Sequence, residues 1–187
     1  MRWERPIATS SPLHVRLGGH AGSFLDSILH VKNRICVLAH NIRSLWNVGS
    51  LFRTCDAMWI ERLYLTGYTG KPPRKEITKV ALGAEEFVPW EHHDDPLPLV
   101  KSLRAEGWQI VCLELTPESV PLQTFAPTFP LCLILGNEIA GVRDDLIAES
   151  HATVSIPMLG RKESLNVATA AGIALYGLRH YNPHTHG

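Results

Sequence analysis

Two runs in this chain hold nothing but apolar residues: positions 35–39 (Ile-Cys-Val-Leu-Ala) and 131–135 (Leu-Cys-Leu-Ile-Leu). A strand with one wet face alternates apolar and polar side chains. A run without alternation is buried on both faces, as in a parallel sheet covered by helices on each side. Weaker strand-like runs follow at 63–66, 87–90, 108–115 and 152–156. Between them lie segments of helical spacing. Val48, Leu51, Phe52, Cys55 and Trp59 make one buried stripe,. Others span 77–82, 97–106 (closed by Gly107), 144–149 and 165–181,. This order predicts an α/β fold, a mostly parallel sheet flanked by helices.

With 187 residues, 45% of them apolar, the chain suits one main domain,. We read residues 1–33 as a basic N-terminal extension (Arg2, Arg5, Arg16, Lys32), either an RNA-facing arm or a covering flap. Residues 34–181 form the domain and 182–187 a tail. No run of about 18 apolar residues is present, and residues 1–15 lack the apolar core of a signal peptide, so a cytoplasmic location is expected,. Cys36, Cys55, Cys112 and Cys132 show no CxxC spacing and read as buried free thiols,. His92-His93 and the tail pair His184 and His186 read as surface histidines, so no metal is expected,. Formal charge is zero, but residues 71–79 form a basic loop whose Lys71, Arg74 and Lys75 could meet phosphates,.

Ligands in parallel sheets sit beyond the carboxyl ends of the strands. Three polar loops fall at such ends: 40–47, 136–141 and 160–164. The first strand is not followed by GxGxxG. Residues 136–141 have the glycine spacing of a P-loop, but Val142-Arg143 replace its Lys-Ser/Thr, and no GxSxG elbow occurs,. Asn47 and Ser164 are expected as N-caps of the helices that follow their loops. Gly49, one turn before Arg53, is expected to leave room for Arg53 to reach back toward the first loop. The third loop and its small-residue helix (Ala168, Ala170, Ala171, Gly172, Ala174) suit a binding site pinned between two buried elements,.

Three blocks carry a resemblance. They are Asn41…Asn47-Val48-Gly49-Ser50-Leu51-Phe52-Arg53-Thr54-Cys55-Asp56-Ala57, Leu133-Ile134-Leu135-Gly136-Asn137-Glu138…Gly141, and Ile156-Pro157-Met158-Leu159-Gly160…Ser164-Leu165-Asn166-Val167. In this order they resemble the three motifs of the SpoU (TrmH-type) family of the SPOUT superfamily, over about residues 35–181. The resemblance implies S-adenosylmethionine-dependent methylation of a ribose 2′-hydroxyl in RNA, a C-terminal trefoil knot and a homodimer. It assigns the cofactor to backbone around Leu115, Thr116, Gly136, Ile156 and Leu165. It places Arg53, Asn47, Glu138, Ser164 and Asn166 around the reaction centre, with Arg53 activating the hydroxyl. Arginine rarely deprotonates. Two accounts of its role therefore stand, a transient base or a fixed cation stabilising the developing alkoxide. Ile139 departs from the glycine many relatives carry there, which bears on substrate rather than chemistry. tRNA is favoured over rRNA because the chain is small. Two alternatives stay open: an RNA- or cofactor-binding protein without turnover, and a SPOUT enzyme that methylates a base nitrogen.

Overall fold

The computed structural model describes residues 33–182; the N-terminal extension up to residue 32 and the tail from 183 lie outside them. Seven strands form one sheet: β1 (Ile35–His40), β2 (Arg62–Thr66), β3 (Trp90–His93), β4 (Gln109–Leu113), β5 (Val120–Pro121), β6 (Leu131–Leu135) and β7 (Ala152–Ser155). Their order is β3-β2-β1-β6-β4-β7-β5, and every pairing is parallel. The two all-apolar runs lie side by side at its centre, with Ile35 opposite Leu131 and Ala39 opposite Leu135. Their burial on both faces accounts for the missing alternation.

Among the described residues five α-helices cover the sheet: α1 (Leu45–Ala57), α2 (Lys75–Ala81), α3 (Pro96–Ala105), α4 (Asp144–Glu149) and α5 (Val167–Arg179). Side chains of one strand alternate between two cores. Val37, Leu63, Leu65 and Leu133 meet Phe52 and Leu51 of α1, Ile77 of α2 and Leu175 of α5. Cys36, Leu38, Ile110 and Ile134 meet Val100 and Leu103 of α3 and Leu146 of α4. A fully buried side chain such as Leu133 contributes roughly 1.5–3 kcal/mol. All four cysteines are buried and unpaired. Among the described residues no helix is long and apolar enough to cross a membrane.

Several expectations need correction. The edge strand is Trp90–His93, not 87–90. Its Glu91, His92 and His93 give an apolar-run reading nothing to find, as is usual for an edge that must resist pairing. The strand expected at 108–115 is trimmed to Gln109–Leu113, and the two-residue β5 was not foreseen. Ser44, not Asn47, caps α1: its side chain accepts from the Asn47 N–H at 3.3 Å. Asn166, not Ser164, caps α5 and accepts from the N–H groups of Ala168 (2.9 Å) and Thr169 (3.3 Å). Leu165 therefore precedes the helix. Gly49 does not clear a path for Arg53. A Cβ there would lie 2.6 Å from the Ile77 carbonyl oxygen and 2.9 Å from Val80 Cβ, so this glycine is where α1 and α2 pack backbone to side chain.

Candidate active site

Because all strands run the same way, the loops after β1, β2, β4, β6 and β7 gather at one edge of the sheet. The tightest is the turn after β6. Asn137 and Gly141 exchange both backbone hydrogen bonds at 2.9 Å, and the Asn137 Oδ1 accepts from the Ile139 and Ala140 N–H groups. The turn folds back so closely that a Cβ on Gly136 would lie 2.3 Å from backbone atoms of Gly141 and Val142. Gly141 itself has φ of 72°, which favours glycine.

Glu138 projects from this turn toward the loop after β1. Its carboxylate accepts from the N–H of Arg43 (3.0 Å), the N–H of Ser44 (3.3 Å) and the Asn47 amide (2.9 Å). The Asn166 amide then donates to Asn47 Oδ1 at 3.0 Å. One chain of contacts, Glu138–Asn47–Asn166, thus ties together the three blocks singled out in the sequence. Burial pushes the Glu138 carboxyl up. The Arg43 N–H, the Asn47 amide and further backbone N–H groups outweigh it and hold the carboxyl below its ordinary value,. Glu138 is therefore a charged acceptor with its oxygens committed.

A cavity of about 290 Å³ opens behind this bridge, walled by the loops after β4, β6 and β7. Of the residues expected to hold a cofactor, Leu115, Gly136, Ile156 and Leu165 line it; Thr116 does not. The Thr116 carbonyl instead accepts from the N–H and hydroxyl of Ser119. Glu138 and Ser164 line the cavity too, whereas Asn47 and Asn166 sit at its rim through their bonds to Glu138 and to each other. Its carboxylates are Glu114, Glu138 and Glu163, and no lysine, arginine or histidine lines it. Among the described residues no group of three or more His, Cys, Asp or Glu side chains could hold a metal ion.

Two supports escaped the sequence reading. Glu114 accepts from the Val142 N–H (2.8 Å) and the Leu115 N–H (2.9 Å), pinning the β4 loop to the β6 loop. A carboxylate ending the apolar run at 110–113 was the available signal. The other support is built on His40, which is only 3% exposed. Asn41 Oδ1 accepts from the Tyr68 N–H, so its amide nitrogen faces His40 Nε2 at 3.0 Å. That nitrogen must then be the acceptor, and His40 Nδ1 carries the proton toward Thr66 Oγ1 at 2.9 Å,. Burial first, and Arg143 second, push the imidazole down, in keeping with this neutral form. Asn137 closes the network, donating to the Asn41 carbonyl and the Tyr68 hydroxyl, both at 2.8 Å.

Arg53 stands apart. It is exposed on α1 and belongs to none of these contacts. Lys71, Arg74 and Lys75 are likewise exposed, on the loop that leads into α2 and on its first turn.

A parallel sheet whose strand-end loops interlock over a carboxylate-lined cavity defines a small-molecule site of the α/β class. The SpoU rRNA Methylase family matches residues 34–176, and the chain belongs to that family. It is 34% identical over 154 residues to the tRNA (guanosine(18)-2′-O)-methyltransferase of Aquifex aeolicus, covering 81% of this chain and 72% of that one. Among solved structures, it is similar to the AdoMet-bound rRNA methyltransferase from Sinorhizobium meliloti (TM-score 0.74, 31% identity), spanning 82% of this chain and 59% of the other. The A. aeolicus TrmH/SpoU tRNA modifying enzyme gives a TM-score of 0.73 at 31% identity, covering 84% and 80%.

Proposed function

We propose that this protein transfers a methyl group from S-adenosylmethionine to a ribose 2′-hydroxyl of RNA, with tRNA favoured over rRNA. The Glu138–Asn47–Asn166 bridge carries the reading. It joins the three family motifs into one rim around the cavity. The cavity fits the cofactor in chemistry. Leu113, Leu135, Ile156 and Val167 give it apolar wall, the strand-end loops give it backbone groups, and its charged side chains are all anionic, which suits a sulfonium cation,. Bound S-adenosylmethionine supplies an electrophilic methyl group. Leu115, Gly136, Ile156 and Leu165 would hold it, with Thr116 on the adjoining loop.

In this reading Glu138 is a positioning residue. A carboxylate held below its ordinary pKa and already accepting three hydrogen bonds is a poor proton acceptor,. Asn47 and Asn166 fix the rim, and Ser164 lines the cavity beside it. Arg53 acts on the hydroxyl, as base or as a cation facing the developing alkoxide; either is worth about 10²–10⁴ in rate. Since Arg53 touches no rim residue within one protomer, a homodimer with α5 at or near the interface is part of the proposal. Ile173 and Tyr176 of α5 are exposed, and Gly172 and Ala168 allow close approach. The C-terminal trefoil knot, a cytoplasmic location and the division into extension, domain and tail belong to the same reading.

The test has two arms. Calorimetric titration after chelator treatment should show S-adenosylmethionine binding; a strict need for a divalent ion would overturn it. Mass spectrometry of nucleosides from RNA incubated with enzyme and cofactor should show ribose methylation. Methyl on a base nitrogen, or no methyl at all, would replace this reading with another.

A further inference from the structure

Trp46 is the second residue of α1, and it is 48% exposed. An exposed apolar residue alone needs no explanation. This one has two unusual neighbours. Lys79 of α2 sets its ammonium 5.6 Å from the centre of the indole ring, within cation–π range. The next residue along the chain, Asn47, bonds Glu138 on the cavity rim at 2.9 Å. Consecutive Cα atoms are about 3.8 Å apart, so the backbone that carries the indole is one residue from the rim.

The placement of this pair follows from packing. Gly49 brings α2 against α1, and Leu45 closes on Gly70, where a Cβ would lie 2.1 Å from Leu45 Cδ2. Lys79 therefore stands over the start of α1. Lys75 lies one turn earlier on the same face of α2, beside Arg74. Among the described residues, the ion pairs lie elsewhere, and no carboxylate among them pairs with these cations.

We propose that Trp46 is a stacking platform for an unpaired nucleobase of the RNA, next to the nucleotide that is methylated or part of it, with Lys79 taking the attached phosphate. This rests on the RNA-directed reading above. A nucleotide offers a flat π face and an anion about one nucleotide step apart; a half-exposed indole with an ammonium over its ring offers the complement. Such stacking is sequence-tolerant, because every base has a π face. The aromatic ring would therefore favour single-stranded or splayed-out RNA without choosing the sequence.

The test compares wild type with Trp46→Ala, Trp46→Phe, Trp46→Leu and Lys79→Ala. Each is titrated with unfractionated tRNA and with inorganic polyphosphate, a polyanion without bases, at several salt concentrations. Trp46→Ala and Trp46→Leu should weaken tRNA binding about tenfold and leave polyphosphate binding and the salt slope unchanged. Trp46→Phe should stay within about threefold of wild type. Lys79→Ala should lower the salt slope by about one. The idea fails if Trp46→Ala binds tRNA like wild type, if polyphosphate loses as much, or if phenylalanine does no better than leucine. It also fails if Trp46→Ala changes the oligomeric state by light scattering, which would make the ring an interface between copies. Wild-type cofactor binding and methyl transfer are measured in parallel. If those are absent, the functional reading falls; if they are present and Trp46 is inert, only the stacking platform falls.

Discussion

At the cavity rim, Glu114, Asn137, Glu138, Asn47 and Asn166 commit their polar atoms to one another and to backbone N–H and C=O groups. On the outer side of α1 and α2, Arg53, Lys71, Arg74 and Lys75 are exposed and hold no ion pair among the described residues. The rim is acidic and fixed; the outer face is basic and long-armed. Fixed dipoles suit a small ligand whose atoms must be placed closely, since they need no reorganisation when it binds. Long cationic side chains suit a large polyanion, whose phosphates they can follow at little cost in complementarity. Damage to the rim should therefore appear as lost stability and lost cofactor binding. Damage to the outer face should appear only when RNA is present.

The largest effect is expected at Gly136. Alanine there drives a methyl group to within 2.3 Å of backbone, so the turn must open. Gly136→Ala should cost roughly 3 kcal/mol or more of stability and abolish calorimetric cofactor binding; a wild-type melting curve would show that the turn yields. Arg53→Ala comes next and should separate the two regions cleanly. Methyl transfer in single turnover should fall at least a hundredfold, about 3 kcal/mol of transition-state stabilisation, with melting and cofactor binding unchanged. Near wild-type transfer would remove Arg53 from the chemistry. Partial rescue by Arg53→Lys would favour the fixed cation over the base.

Replacing Lys71, Arg74 and Lys75 together with alanine should weaken tRNA binding about tenfold and flatten its salt dependence by about two to three. Cofactor affinity should hold, and an unaltered slope would reduce this loop to solvated surface. The smallest effect concerns acid. The folded Glu138 carboxyl lies below its unfolded value of about 4.3. Its contribution to stability is therefore complete above that pH and fades as pH falls through the folded value,. Glu138→Gln should be less stable than wild type at neutral pH by less than about 1 kcal/mol, because the carboxylate is exposed and solvent screens it,. The gap should narrow below about pH 4; a gap that stays constant into acid would mean the charge contributes nothing.

Much of this was legible in the sequence because the strands of the centre announce themselves by lack of alternation. Ile35 and Leu131 could be placed in buried strands, and the three polar loops at strand ends, without any knowledge of strand order. What was lost turns on partners distant in sequence. Ser44 and Asn47 are both cap-competent, as are Ser164 and Asn166. Only the backbone geometry decides which one faces the free N–H groups, and in each pair the asparagine bonds its counterpart across the rim. Gly49 was misassigned because its reason lies on α2, near Ile77. The His40–Asn41–Tyr68–Asn137 network joins four residues from three loops, none unusual alone.

The placement of β6 has a consequence for how the chain is made. β1, β2 and β3 can assemble as soon as they leave the ribosome, but β6 pairs the other edge of β1. Leu131 emerges roughly a hundred residues after Ile35, and at about 5–20 residues per second that is on the order of 5–20 s. For that interval a strand buried along its whole length has an open edge. The last helix then closes the first element: Arg179 donates to the carbonyls of Met58, Trp59 and Asn33. The beginning of the domain is thus finished by its end, and a nascent chain stalled before Asn166 would carry an incomplete cavity rim and its first strand without a lock.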